Sequence, residues 1–245
     1  MKTKTVLITG ATAGIGEATA KLLSEHSYNL IITGRRQDRL EKLKLVIEQN
    51  TKSKVHVLCF DIRNNNDVIE AIDSLPNEFE NIDILINNAG LASGLNSIQE
   101  GELSDWETMI DTNIKGLLYI TRKIAPKMIN QKSGHIINIG SIAGKEVYPN
   151  GNVYCSTKHA VDALTKAMRI DMLQYNIKVS QIAPGMVETE FSEVRFHGDK
   201  DKAKQVYQGL EPLYAIDIAE AVLFMITRPK HVNINDMLIM PTSQA

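Results

Sequence analysis

Thr9-Gly10-Ala11-Thr12-Ala13-Gly14-Ile15-Gly16 directly follows the apolar run Thr5–Thr9 and opens the helical pattern Ile15–Glu25. Glycines at a strand-to-helix turn let the backbone bend sharply and approach a bound group closely. The helix that follows presents free N–H groups and the positive end of its dipole, which together suit a pyrophosphate. The spacing is G-x-x-x-G-x-G rather than the commoner G-x-G-x-x-G. A Gly-rich turn can be purely structural, but its place at the first strand–helix junction points to a dinucleotide site.

Outward from this turn, short apolar runs alternate with longer helical patterns. Leu30–Thr33, Val55–Phe60, Ile82–Ile86, His135–Ile139, Lys178–Ile182 and Met237–Met240 read as further strands. Several are apolar at nearly every position, as strands of a parallel sheet covered on both faces must be. Asp38–Gln49, Asn66–Ser74, Ser104–Met128, Val153–Gln174 and Ile216–Ile226 read as the helices between them. Alternating units of this kind predict an α/β fold, a doubly wound parallel sheet of about seven strands built by right-handed crossovers. No repeat or linker divides the 245 residues, so one domain is expected over 1–245. The stretch between Pro184 and Leu213 lacks a clear strand signal, and its Gly198-Asp199 and charges suggest a lid over about 186–213.

Composition narrows the partners. A formal charge of -2, with 43% hydrophobic and 23% charged residues, gives no general reason to expect nucleic acid or an anionic membrane. No apolar run reaches the ~20 residues needed to span a bilayer, and the N-terminal run is too short for a signal peptide. Cys59 and Cys155 lack metal-site spacing and are expected to be free thiols, in the cytoplasm.

After the second strand, a site for NAD usually carries an acid that holds the ribose 2′-hydroxyl. Here the chain reads Thr33-Gly34-Arg35-Arg36, without a carboxylate. Two arginines can simply solubilise a helix start. Where the acid is missing, however, a guanidinium can grip a 2′-phosphate, and the pair points to NADP(H). Asp61, after the third strand, is placed at the adenine end, or else caps the helix that begins near Asn64–Asn66.

Tyr154 and Lys158 stand four apart in a helical segment and so share a face. A tyrosine titrates near ~10, and an adjacent ammonium together with oxidised nicotinamide would bring it toward the working range. Ser141 lies at the carboxyl end of the strand His135–Ile139, where ligands bind in open α/β sheets. Asn113 falls mid-helix, an unfavourable place for asparagine unless its side chain or a helix irregularity is used.

Taken together, Thr9–Gly16, Asn87-Asn88-Ala89-Gly90, Asn113, Ser141, Tyr154-x-x-x-Lys158 and Pro184-Gly185 resemble the motif series of the short-chain dehydrogenase/reductase family, in that family's order and over nearly the whole chain. The resemblance implies a Rossmann fold and a set of roles. Tyr154 would be the general acid or base, Lys158 its activator and ribose ligand, Ser141 the substrate's orienting hydroxyl, and Asn113 the holder of a relay water. Gly10, Thr12, Ala13, Gly14, Ile15, Gly16, Arg35, Arg36, Asp61, Ile62, Asn88, Ala89, Gly90, Tyr154, Lys158, Pro184, Gly185, Val187 and Thr189 would bind the cofactor. Family members commonly form homotetramers through the two long helices and a contact near the last strand.

A finer likeness rests on Thr33-Gly34-Arg35-Arg36-Gln37, Asp105-Trp106 through Asn113, Glu190-Phe191-Ser192-x-Val194-Arg195-Phe196 and His231-Val232-Asn233-Ile234-Asn235. These look like a bacterial subgroup, the NADP-dependent 3-hydroxy acid dehydrogenases acting on serine, allo-threonine or malonic semialdehyde. Such a substrate carries a carboxylate that needs a cation. Arg195 in the lid is the first candidate, unless it is a solvated lid charge, and Lys145 is the second. The alternatives are a reductase of 3-oxoacyl-carrier-protein, sugar or xenobiotic ketones, and a non-enzymatic NADP-binding regulator. The last class would be expected to lose Tyr154 or Lys158, and both are present.

Overall fold

The computed structural model describes residues 3–244. Strand β1 (Thr5–Ile8) is buried at every position and lies inside a seven-stranded parallel sheet, third from one edge. The other strands are β2 (Asn29–Gly34), β3 (Val55–Cys59), β4 (Ile84–Asn87), β5 (Gly134–Ile139), β6 (Ile177–Pro184) and β9 (Asp236–Ile239), in the order β3-β2-β1-β4-β5-β6-β9, so β1 pairs with β2 and β4. The chain winds one way through β1, β2 and β3, then crosses to the other side of β1 at β4. That reversal opens a crevice at the carboxyl ends of β1 and β4.

Helices cover both faces because the strands are apolar on both. Val6 and Ile8 point into one core with Leu23 of α1 (Gly14–Glu25), Leu40 of α2 (Gln37–Asn50) and Val222 of α9 (Ala215–Ile226). Leu7, between them, points into the other core. There it meets Val68 of α3 (Asn65–Asp73), Ile124 of α5 (Leu117–Gln131) and Val161 of α6 (Asn152–Met172). The period of two sends consecutive side chains to opposite layers. Truncating Leu7 or Ile8, each fully buried, to alanine would cost about 2–5 kcal/mol.

Two expectations need correction. The single helix expected over Ser104–Met128 is three pieces: α4 (Leu103–Ile110), a π-helical turn over Asp111–Gly116, and α5. The turn contains Asn113, and Gly116 within it packs so close to Ile62 that a Cβ there would lie 2.9 Å from that side chain. Asp61 does not cap α3; the Asn64 side chain does, accepting from the Asn66 N–H at 3.0 Å. The lid region begins and ends on a short parallel pair, β7 (Val187–Glu188) with β8 (Leu213–Tyr214). Between them lie α7 (Phe191–Arg195) and α8 (Lys200–Gln205).

Candidate active site

The crevice at the sheet's carboxyl edge is a cavity of about 800 Å³. One end is built by the glycine turn. Gly10 and Gly14 have φ of +68° and +54°, and a Cβ on Gly10 would stand 2.9 Å from the Ala89 Cα. Gly16 does not itself line the cavity; a Cβ there would stand 2.4 Å from the Gly10 carbonyl oxygen, so its role is to let α1 start that close. No side chain caps α1 at Ala13, which leaves its first N–H groups for a ligand. Asn88 staples this turn to β4: its Nδ2 donates to the carbonyls of Thr9 at 2.9 Å and Gly10 at 3.1 Å.

The far wall of this end carries Arg35, Arg36, Asp61 and Ile62. Arg36 is already engaged, donating to Thr12 Oγ1 at 2.7 Å and to the Glu190 carboxylate at 3.0 Å. Arg35 is exposed and has no ion pair among the described residues. Asp61 accepts from Arg63, whose hydrogen bonds hold its carboxyl below the usual carboxylate range despite partial burial. Of the two arginines, Arg35 is the freer.

At the other end lie Tyr154 and Lys158, both buried and both on the cavity side of α6. Lys158 Nζ donates to the Ile139 carbonyl at 3.0 Å and lies 6.0 Å from the Tyr154 ring centroid. Burial lowers the ammonium pKa to about 8. Burial also raises the Tyr154 phenol well above its usual value, with Ser141 and Arg195 pulling weakly the other way. Desolvation wins, and Lys158 is turned to a carbonyl instead.

Ser141 sits beside Tyr154 rather than on the cavity wall, its Oγ accepting from the Ala143 N–H at 3.1 Å. Asn113 is buried with both side-chain donors used: Oδ1 accepts from the Leu91 N–H at 2.9 Å, while Nδ2 donates to the Leu91 carbonyl at 2.8 Å and to Thr157 Oγ1 at 3.0 Å. It thus fixes the strand β4 exit to α6. Pro184, Gly185, Val187 and Thr189 line the roof.

Arg195 reaches the cavity from the lid, between the Tyr148 and Tyr154 rings at 5.4 Å from each centroid. Lys145 does not. It turns away to pair with Asp162 on α6 and Asp236 on β9, and it is excluded as a wall residue of this cavity. Among the wall residues not expected at the site are Tyr148, Glu190 and Phe191, the last packed edge-on against Tyr154 at 5.6 Å. Glu190 and Phe191 lie in a stretch that carried the finer resemblance but gave no sign of facing Tyr154, and no motif marks Tyr148, because only the fold brings the lid to α6.

Residues 4–200 match the model of the short chain dehydrogenase family. The chain belongs to that family. Among its relatives, the NADP-dependent 3-hydroxy acid dehydrogenase YdfG of Escherichia coli is 46% identical over 98% of this chain and 96% of its own. An NADP-dependent 3-hydroxy acid dehydrogenase of Schizosaccharomyces pombe is 44% identical over 98% and 93%. A closed form of serine dehydrogenase complexed with NADP+ superposes with a TM-score of 0.94 at 46% identity, covering 98% of this short-chain dehydrogenase and 96% of that chain. Serine dehydrogenase from Escherichia coli gives 0.86 at 41% identity, over 98% and 99%.

Proposed function

We propose that this enzyme is an NADP(H)-dependent oxidoreductase that exchanges a hydride between the cofactor and C3 of a small 3-hydroxy acid of the serine, allo-threonine or 3-hydroxypropionate class. The nucleotide part of the reading rests on the glycine turn, the uncapped start of α1 and Arg35. Those features suit a pyrophosphate and a 2′-phosphate. When bound, the nicotinamide supplies the hydride acceptor or donor.

The chain's own residues do the rest. Tyr154 gives or takes the proton of the substrate oxygen, and Ser141, beside it, helps hold that oxygen in line. Lys158 is half-way charged near pH 8, so a modest change in its surroundings switches it to ammonium and stabilises a phenolate nearby. Asn113 acts through the backbone of Leu91 and through Thr157. With both its side-chain donors spent there, a relay water on Asn113 would have to sit on its remaining acceptors. Arg195 receives the carboxylate.

The observation that carries the 3-hydroxy acid reading is the Arg195 guanidinium, brought by the lid over the Tyr154 ring inside a largely apolar chamber. A fixed cation beside the proton donor selects an anionic substrate whose charge lies a few bonds from the reacting carbon. A panel of 3-hydroxy acids and simple alcohols, followed by NADPH fluorescence, tests it. Turnover confined to uncharged alcohols or to NAD would overturn it.

We also infer a homotetramer in the cytoplasm. Leu103, Ile170 and Leu173 are each at least two-thirds exposed on α4, α6 and the turn after α6, and symmetric association is the usual cover for such faces. Both cysteines are free, which suits a reducing compartment. A monomer by light scattering at micromolar concentration would contradict the assembly.

A further inference from the structure

Tyr148 lies in the loop between Ser141 and α6, and its hydroxyl accepts a hydrogen bond from Arg195 Nη2 at 2.6 Å. Arg195 Nε donates to the Gly94 carbonyl at 3.3 Å. Nη1 has no hydrogen-bond partner among the described residues, and the Tyr148 hydroxyl has an acceptor for its own proton nowhere among them. Both groups line the cavity that holds Tyr154. A guanidinium bound on one side and a phenol bound only as acceptor leave unused donors on both groups at one spot.

The ring itself is seated by Gly151: a Cβ there would stand 2.4 Å from the Tyr148 ring, so only glycine lets the ring lie against the start of α6. Burial raises the Tyr148 phenol above its usual pKa, with the Arg195 charge opposing it. The hydroxyl thus keeps its proton at neutral pH and remains a donor.

We propose that Tyr148 is a specificity-determining residue, which with Arg195 forms a two-pronged clamp for the substrate carboxylate. Nη1 of Arg195 donates to one carboxylate oxygen and the Tyr148 hydroxyl to the other. This rests on the 3-hydroxy acid reading and adds to it: the clamp recognises the planar carboxylate by two directions as well as by charge. It also explains why the guanidinium is bound to a phenol here and not to an acid, which would neutralise it before substrate arrived.

The test compares 3-hydroxypropionate with its uncharged analogue 3-hydroxypropanamide in the NADP-loaded enzyme. In Tyr148→Phe, the ratio of kcat/KM for acid over amide falls about tenfold, chiefly through KM for the acid. NADPH binding, followed by fluorescence, verifies that the variant is folded. Gly151→Ala, which displaces the ring but keeps the hydroxyl, lowers the same ratio. In an Arg195→Ala background, Tyr148→Phe has a much smaller effect on that ratio, because the prongs act together. Equal losses on acid and amide, or full additivity with Arg195→Ala, would reduce Tyr148 to a latch for the lid and overturn the clamp. A parent enzyme with no preference for acid over amide would overturn the 3-hydroxy acid reading as well, so the two failures are distinct.

Discussion

Glu190, at the threshold of the lid helix, and Arg36, at the end of the second strand–helix junction, are joined by an ion pair of 3.0 Å. Both side chains are about 40% exposed, so the pair contributes little to stability. Its importance is positional. Glu190 also holds Arg39, and one carboxylate thereby stands beside the arginines expected to meet a 2′-phosphate.

That arrangement predicts how cofactor choice responds to charge. Arg35, the unpaired member, carries most of the discrimination. NADP is preferred over NAD by at least about tenfold, or 1.4 kcal/mol, and Arg35→Asp erases or reverses this. Glu190→Gln removes a competing negative charge and frees Arg36, so NADP binds several-fold tighter, with a gain that shrinks at high salt. Weaker NADP binding in Glu190→Gln would mean that the pair holds Arg36 in place rather than competing for it.

The chemistry at Tyr154 follows from its burial. Burial holds the phenol protonated in the protein alone, which suits the proposed role of proton donor in reduction, and acting as a base would need nearby positive charge. Tyr154→Phe removes the transferable proton and little of the nucleotide site. Turnover should be abolished while NADPH affinity stays near that of the parent. Retention of more than a few per cent of kcat would mean that another group supplies the proton.

Lys158 shows function set against stability. Its folded pKa of about 8 lies below the ordinary 10.5, so the unfolded chain binds more protons between those values. Stability therefore rises with pH through that window, and below pH 8 the full penalty is present. Burying the charge costs on the order of 3 kcal/mol at neutral pH, offset in part by its bond to the Ile139 carbonyl. Lys158→Met should be inactive yet melt at a higher temperature at pH 7, with the advantage fading as pH approaches 10.5. A variant that melts lower at pH 7 would contradict this.

What the sequence disclosed depended on how local each signal was. The glycine turn, the missing acid at Arg35 and the Tyr154–Lys158 spacing each sit within a few residues, and the cavity gathers them as the spacing implied. Asn113 signalled an irregularity, but not the π-helical turn that would house it, because one extra residue per turn depends on packing such as Gly116 against Ile62. Lys145 and Arg195 looked alike as cations. Only the folded chain sends one to Asp162 and Asp236 and the other to the Tyr154 ring. Tyr148 carried no signal, since its partner lies 47 residues away on the lid.

In the proposed reaction one site holds both ends of a 3-hydroxy acid, its hydroxyl at Tyr154 and its carboxylate at Arg195. The most direct measurement is kcat/KM for 3-hydroxypropionate and for 3-hydroxypropanamide, in the parent and in Arg195→Ala. A charge-assisted hydrogen bond of about 1.5–3 kcal/mol, lost with the anchor, reduces both binding and alignment. The acid-over-amide ratio is expected to collapse by roughly 10²-fold in Arg195→Ala. An equal loss on both substrates would contradict it and leave Arg195 as no more than a stabiliser of the lid.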